Sequence, residues 1–152
     1  MAESSAHASF PAWSYVAAQF GLLIALILLP PWRWHWNPLG VILLIVATAL
    51  GSWTLRHNRP GNFRVSPQPH RRGHLIMNGP YRWIRHPMYA AVLIVATACL
   101  LMADGVGRGL VLVALVIVLD RKAALEERML SARWPAYPAY MARTWRFLPC
   151  IW

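Results

Sequence analysis

Acidic residues are scarce in this chain: five Asp and Glu stand against 15 Lys and Arg, a formal net charge of +10 over 152 residues. Charge of either sign is thin as well, at 13%, where a soluble domain carries about 25%. Hydrophobic residues make up 58% and mean hydropathy is +0.40. This balance excludes an ordinary soluble domain and describes an integral membrane protein of one domain, residues 1–152. The two cysteines, Cys99 inside a hydrophobic run and Cys150 near the end, exclude a disulfide framework and a CxxC metal pair. No Lys or Arg precedes the first apolar run, so it lacks the charged start of a secretory signal and reads as a retained span. Excess base alone suggests nucleic acid. Here hydrophobic runs interrupt the basic residues, which read as topology signals and contacts for anionic lipid.

What the chain does have is apolar runs of nearly bilayer length. Residues 13–29 are apolar apart from Ser14 and Gln19, and Pro30-Pro31 stops them. At 1.5 Å per residue such a helix is about 26 Å long, close to a bilayer core. Trp32, Trp34 and Trp36 crowd the following turn in the manner of an interfacial aromatic belt. Further spans are expected over residues 39–55, 88–103 and 106–122. The last apolar run, Leu110 to Leu119, is short, and a helix-forming stretch from Asp120 to Met129 is expected to carry the rod past the membrane surface. The expected fold is all-α, with four spans, a C-terminal helical hairpin, a long loop over residues 56–87 and a tail over 123–152. The loop holds seven Arg and the chain after Leu119 another six basic residues, while the other two connections hold one Arg each. The positive-inside rule puts loop, tail and N-terminus on the cytoplasmic side, in a bacterial inner membrane.

One polar stretch abuts the third apolar run: Asn78-Gly79-Pro80-Tyr81-Arg82-Trp83-Ile84-Arg85-His86-Pro87-Met88-Tyr89. Gly79-Pro80 signals a turn, and Pro87 suits the first helical position, where its missing N–H is not needed. A helix starting there brings Arg85, His86 and Tyr89 to one side, and its free N–H groups favour an anionic group. The expectation is a polar pocket at the mouth of a membrane segment.

Gly79-Pro80-Tyr81-Arg82, Arg85-His86-Pro87-Met88-Tyr89, Glu126-Glu127-Arg128-Met129-Leu130, Tyr137, Tyr140 and Arg146-Phe147-Leu148-Pro149 occur in that order. From His74 onward this resembles the isoprenylcysteine carboxyl methyltransferase family, kin to the membrane phospholipid methyltransferases. The resemblance implies S-adenosylmethionine as donor, bound on the cytoplasmic side. It implies cofactor contacts from His74, Leu75, Ile76, Tyr81, His86, Pro87, Met88, Tyr89 and Glu126. Arg85 and Glu127 become the catalytic candidates, and Lys122 with its neighbour Arg121 the acceptor contacts. Lys122 stands where eukaryotic members have an arginine; it keeps the charge and loses the bidentate fork. Gly73 occupies a position where those members have a His.

The chemistry of the donor suits these residue types. A sulfonium, a carboxylate, an ammonium and an adenosine need charges of both signs and aromatic surface. The reading is therefore methyl transfer to a lipophilic acceptor, first the carboxylate of an isoprenylcysteine-like substrate and second the amine of a phospholipid. The opposing class is a non-enzymatic membrane protein holding anionic lipid or a partner. On that view Arg82 and Arg85 are lipid anchors, and Glu126 and Glu127 are surface charges paired with Lys122 and Arg121 at helical spacing. His70 and His74 lack a third ligand, so no metal is expected. Gly105-Val106-Gly107-Arg108-Gly109 is a turn, since no strand precedes it.

Overall fold

A computed structural model describes residues 4–30, 33–58 and 75–150. Residues 59–74, with His74 and much of the expected loop, lie outside that range. Among the described residues the regular structure is helical: α1 (Ser4–Leu28), α2 (Pro38–His57), a 3-10 turn (Gly79–Arg82), α3 (Pro87–Met102), α4 (Val106–Arg133) and a short α5 (Tyr137–Met141).

The stops and starts follow local chemistry. Asn37 caps α2 by accepting from the Gly40 N–H at 3.1 Å, with Pro38 in the first turn. Pro87 opens α3 as its ring geometry favours, and the expected Gly79-Pro80 turn forms as a 3-10 turn with Gly79 at φ +60°. A methyl on Gly79 would sit 2.4 Å from the His57 ring, so both backbone angle and space require glycine there. Gly105 breaks between α3 and α4 at φ 122°.

α2 packs mainly on α3, and α1 on α4, with α3 against α4 joining the two pairs. The buried residues of α2, Gly40, Ala47 and Thr54, recur every seven positions. They meet an α3 whose buried residues are Pro87 and four alanines, Ala90, Ala91, Ala96 and Ala98. Small residues on both sides let the backbones approach closely, a device of helix pairs in lipid. At Gly40 the fit is closest, since an added methyl would overlap Met102. The core between the pairs is Leu26, Ala96, Leu115, Leu119 and Ala123, closed by Phe147 from the tail.

α2 alone among the described helices is both long and apolar enough to cross a membrane. The helices Trp13–Leu28 and Pro87–Met102 are apolar but shorter. α4 runs unbroken for 28 residues, apolar first and charged from Asp120 on. The expected rod beyond the apolar run is therefore present, and of the four expected spans α2 is the one that meets both length and apolarity among the described residues. A depression of about 460 Å³ on α2 is lined by Val41, Leu44, Ile45, Thr48, Ala49 and Ser52 and contains none of the charged residues described next.

Candidate active site

The charged half of α4 puts Asp120 and Glu127 seven residues apart, hence on one face, with Glu126 turned aside from it. The tail returns to meet that face. Ile84 and Trp145 pair side by side, with the Arg85 N–H donating to the Trp145 carbonyl at 2.8 Å and the His86 N–H to the Arg146 carbonyl at 3.1 Å. This pairing brings Arg85, His86 and Arg146 onto α4.

Glu127 is the hub. Its Oε1 accepts from Arg85 Nε at 2.7 Å and faces His86 Nε2 at 3.3 Å, and its Oε2 accepts from Arg146 Nη2 at 2.6 Å. Arg146 also donates to Asp120 Oδ1 at 2.5 Å. Arg85 donates as well to the Met141 carbonyl at 3.1 Å and to the Thr144 carbonyl, which ties α5 to the same centre. Burial pushes the Glu127 carboxyl up, but the hydrogen bonds from His86, Arg146 and Arg85 outweigh it and hold the group at about 2. It is an ionised anchor. Around it Tyr81, Tyr137 and Tyr140 are raised chiefly by burial, Tyr140 to about 12, so they act as hydroxyl donors. The Tyr140 hydroxyl donates to the Tyr81 carbonyl at 2.7 Å and pins the 3-10 turn to α5.

Glu126 faces a different set. The Tyr89 hydroxyl donates to its Oε2 at 2.9 Å, and His86 Nδ1 lies 3.6 Å from the same oxygen. The Tyr89 ring stacks on His86 at 5.2 Å and 3°. Glu126 keeps 29% of its side chain exposed, against 4% for Glu127. Adjacent carboxylates thus divide into one locked in ion pairs and one offered outward. The alternative pairing of Glu126 and Glu127 with Lys122 and Arg121 does not occur: the ion pairs run between α4 and the segments around Arg85, His86 and Arg146.

Of the expected site residues, the structure brings Arg85, His86, Tyr89, Glu126 and Glu127 together, with Pro87 buried and Met88 half-buried in the same first turn of α3. Lys122 is buried, its ammonium donating to Gln19 Oε1 at 2.7 Å and lying 5.0 Å from the centre of the Tyr89 ring. Arg121, next to it, is exposed. Leu75 and Ile76 are half-buried ahead of the 3-10 turn, and His74 lies outside the described residues. Asp120, Arg146 and Gln19 were missing from the expected set. Gln19 carried a signal, as a polar side chain inside an apolar run; Arg146 sat in the quoted Arg-Phe-Leu-Pro motif with no partner assigned.

A helical, lipid-suited chain with a buried ion-pair hub beside an outward carboxylate defines a class: a membrane protein with a polar site at the end of a helical hairpin. Within that class, residues 35–136 match the family described as phospholipid methyltransferase, and the chain belongs to that family. No curated protein and no solved structure matched the chain. The family is one of membrane methyltransferases, which generally use S-adenosylmethionine, and it shares a broader family with the isoprenylcysteine carboxyl methyltransferases.

Proposed function

We propose that this protein transfers a methyl group from S-adenosylmethionine to a lipid acceptor at the membrane, with the amine of a phospholipid headgroup as the first candidate. The observation that carries the reading is the Tyr89–Glu126 pair, 2.9 Å apart on a buried ionic platform and partly open to the surroundings. The residues suit the donor. Glu126 is a partly exposed carboxylate for its ammonium or ribose, the first-turn amides of Met88 and Tyr89 suit its carboxylate, and Tyr81 and Tyr89 supply aromatic surface.

When bound, that donor supplies an electrophilic methyl on sulfur. The chain's own residues supply order. Glu127 fixes Arg85 and Arg146, and these hold the tail against α3, so that His86 and Tyr89 stay aligned on Glu126. Fixed geometry and exclusion of water account for most of what a methyl transfer needs. An amine acceptor must first lose a proton; His86, between the two carboxylates, is the group placed to take it. The strongly acidic Glu127 is not.

Lys122 favours a second reading. A buried cation over Tyr89 suits an acceptor carboxylate, as in an isoprenylcysteine, whose nucleophile is already ionised. Lys122, and not the exposed Arg121, is the acceptor contact in either case. The basic loop and tail support a site that faces the cytoplasm.

Donor binding tests the reading. Glu126→Gln and Tyr89→Ala should each weaken S-adenosylmethionine binding roughly 10- to 150-fold by calorimetry in detergent, since a charged hydrogen bond contributes about 1.5–3 kcal/mol. Wild-type affinity in both variants would remove the site. Methyl incorporation into phosphatidylethanolamine against farnesylcysteine analogues then separates the two acceptors. An amine acceptor gives a rate that rises with pH, and a carboxylate acceptor a rate independent of pH that collapses in Lys122→Ala.

A further inference from the structure

Lys122 is the chain's sole lysine and is 1% exposed. An ammonium carries three N–H donors. Among the described residues the one hydrogen-bond acceptor it meets is Gln19 Oε1, which leaves two donors without acceptors. Gln19 is buried as well, and with its oxygen turned to Lys122 its two amide N–H groups meet no acceptor among the described residues. Glu126, one turn along α4, is engaged with Tyr89 and His86 and forms no ion pair with Lys122 within 4.0 Å. Buried donors are nearly always satisfied. Among the described residues the Gln19 amide and the Lys122 ammonium, which also faces the Tyr89 ring, thus keep N–H groups that meet no oxygen, whereas Arg108 at the other end of the bundle donates to backbone carbonyls; such donors suit a group with several lone pairs.

We infer that Gln19 and Lys122 form an oxyanion niche for the headgroup of the lipid acceptor, with Gln19 a positioning residue that aims the Lys122 ammonium across Tyr89. The inference rests on the methyltransferase reading for the word acceptor, but the niche itself rests on the donors. Gln19 lies on α1, outside the matched residues 35–136, so the first helix contributes to acceptor choice from beyond the family core. The shared chemistry is an anionic oxygen group on a lipid, either the phosphodiester of a phospholipid or the carboxylate of a prenylated cysteine.

Thermal unfolding of the whole chain in mild detergent reads the niche without any turnover. Two pairs of probes differ by the anion: dioleoylphosphatidylmethanol against dioleoylglycerol, and N-acetyl-S-farnesylcysteine against its methyl ester. In wild type at least one anionic member should raise Tm above its neutral counterpart, and the pair that does so identifies the source. Gln19→Glu keeps an oxygen on Lys122 and adds a competing charge, so the difference should vanish. It should vanish also in Lys122→Met, which covers the case in which the first variant does not fold. S-adenosylmethionine affinity should stay within about threefold in both, separating the niche from a general role in packing. Equal stabilisation by charged and neutral probes in wild type overturns the inference, as does a difference that survives in either variant or a parallel loss of donor affinity. A wild type that discriminates the probes yet transfers no methyl would sink the proposed function and leave the niche standing.

Discussion

Each end of the helical bundle holds arginine, fully buried at one end and partly buried at the other, and the two ends satisfy it in opposite ways. At one end Arg108 is fully buried, and its guanidinium donates to the carbonyls of Leu26, Leu29 and Asp104, with Trp34 stacked 5.4 Å away. It answers the orphan carbonyls of the last turn of α1 and sits at the negative end of that helix dipole. At the other end Arg85 and Arg146 meet the carboxylates of Glu127 and Asp120, with His86 between two acids. Three of the chain's five acidic residues, Asp120, Glu126 and Glu127, gather there. Carbonyl partners make a cap with one charge state; carboxylate and imidazole partners make a centre whose charge can change. The first arrangement serves the fold and the second is suited to chemistry.

Removing the hub should produce the largest effect. Glu127→Ala leaves two guanidinium groups and an imidazole without their common carboxylate in a buried setting, a loss of about 3–5 kcal/mol. Chemical denaturation in detergent should show it, together with loss of methyl transfer as the tail releases His86. A variant with near-native stability would mean that the arginines re-pair with Asp120 and Glu126, and the hub assignment would fall.

Arg108→Met comes next, at roughly 2–4 kcal/mol, because three carbonyls lose a charged donor while the methionine still fills part of the space. Its donor affinity should remain within about threefold of wild type. A loss of donor affinity as large as that of Glu126→Gln would break the distinction, since it would couple the cap to the site across the length of the bundle.

Much of this was legible in the residues, and the illegible part has a physical cause. Pro87, Gly79 and the apolar runs act locally, through φ restriction and hydrophobic burial, so helix class and the main breaks could be read directly. The GPYR and RHPMY elements located Arg85, His86 and Tyr89 for the same reason. Partner choice is not local. Glu127 lies 42 positions from Arg85, and Gln19 lies 103 from Lys122, so helical spacing pointed to neighbours on α4 where tertiary packing supplies partners from α1, α3 and the tail. Arg108 read as a turn residue because its function, satisfying α1 carbonyls some 80 residues earlier, leaves no trace beside it. The span count is a different matter: among the described helices α2 alone is long and apolar enough to cross a membrane, α4 divides its length between apolar and charged halves, and a run of charge beyond a short apolar stretch does not say where a bilayer ends.

The smallest effect separates the two ends by pH. Although burial alone would raise it, Glu127 is held at about 2 by His86, Arg146 and Arg85, against an ordinary 4.5. A carboxyl with a lower value folded than unfolded contributes stability above its unfolded value and loses it as pH falls towards the folded one. The window is therefore about pH 5 down to pH 2, and the loss across it is roughly 2–3 kcal/mol. Glu127→Gln should be less stable at neutral pH and should lack this share of the acid loss, because the carboxylate responsible for it is gone. Arg108→Met should behave in the opposite sense. Carbonyl oxygens do not titrate in this range, so the variant's Tm should lie below wild type by a nearly constant amount while the full acid slope remains. Melting curves at pH 7, 5, 4 and 3 in one detergent at fixed ionic strength make the comparison. If the glutamine variant kept the wild-type acid loss, or the methionine variant lost it, the partners' capacity to titrate would not be what distinguishes one arginine site from the other.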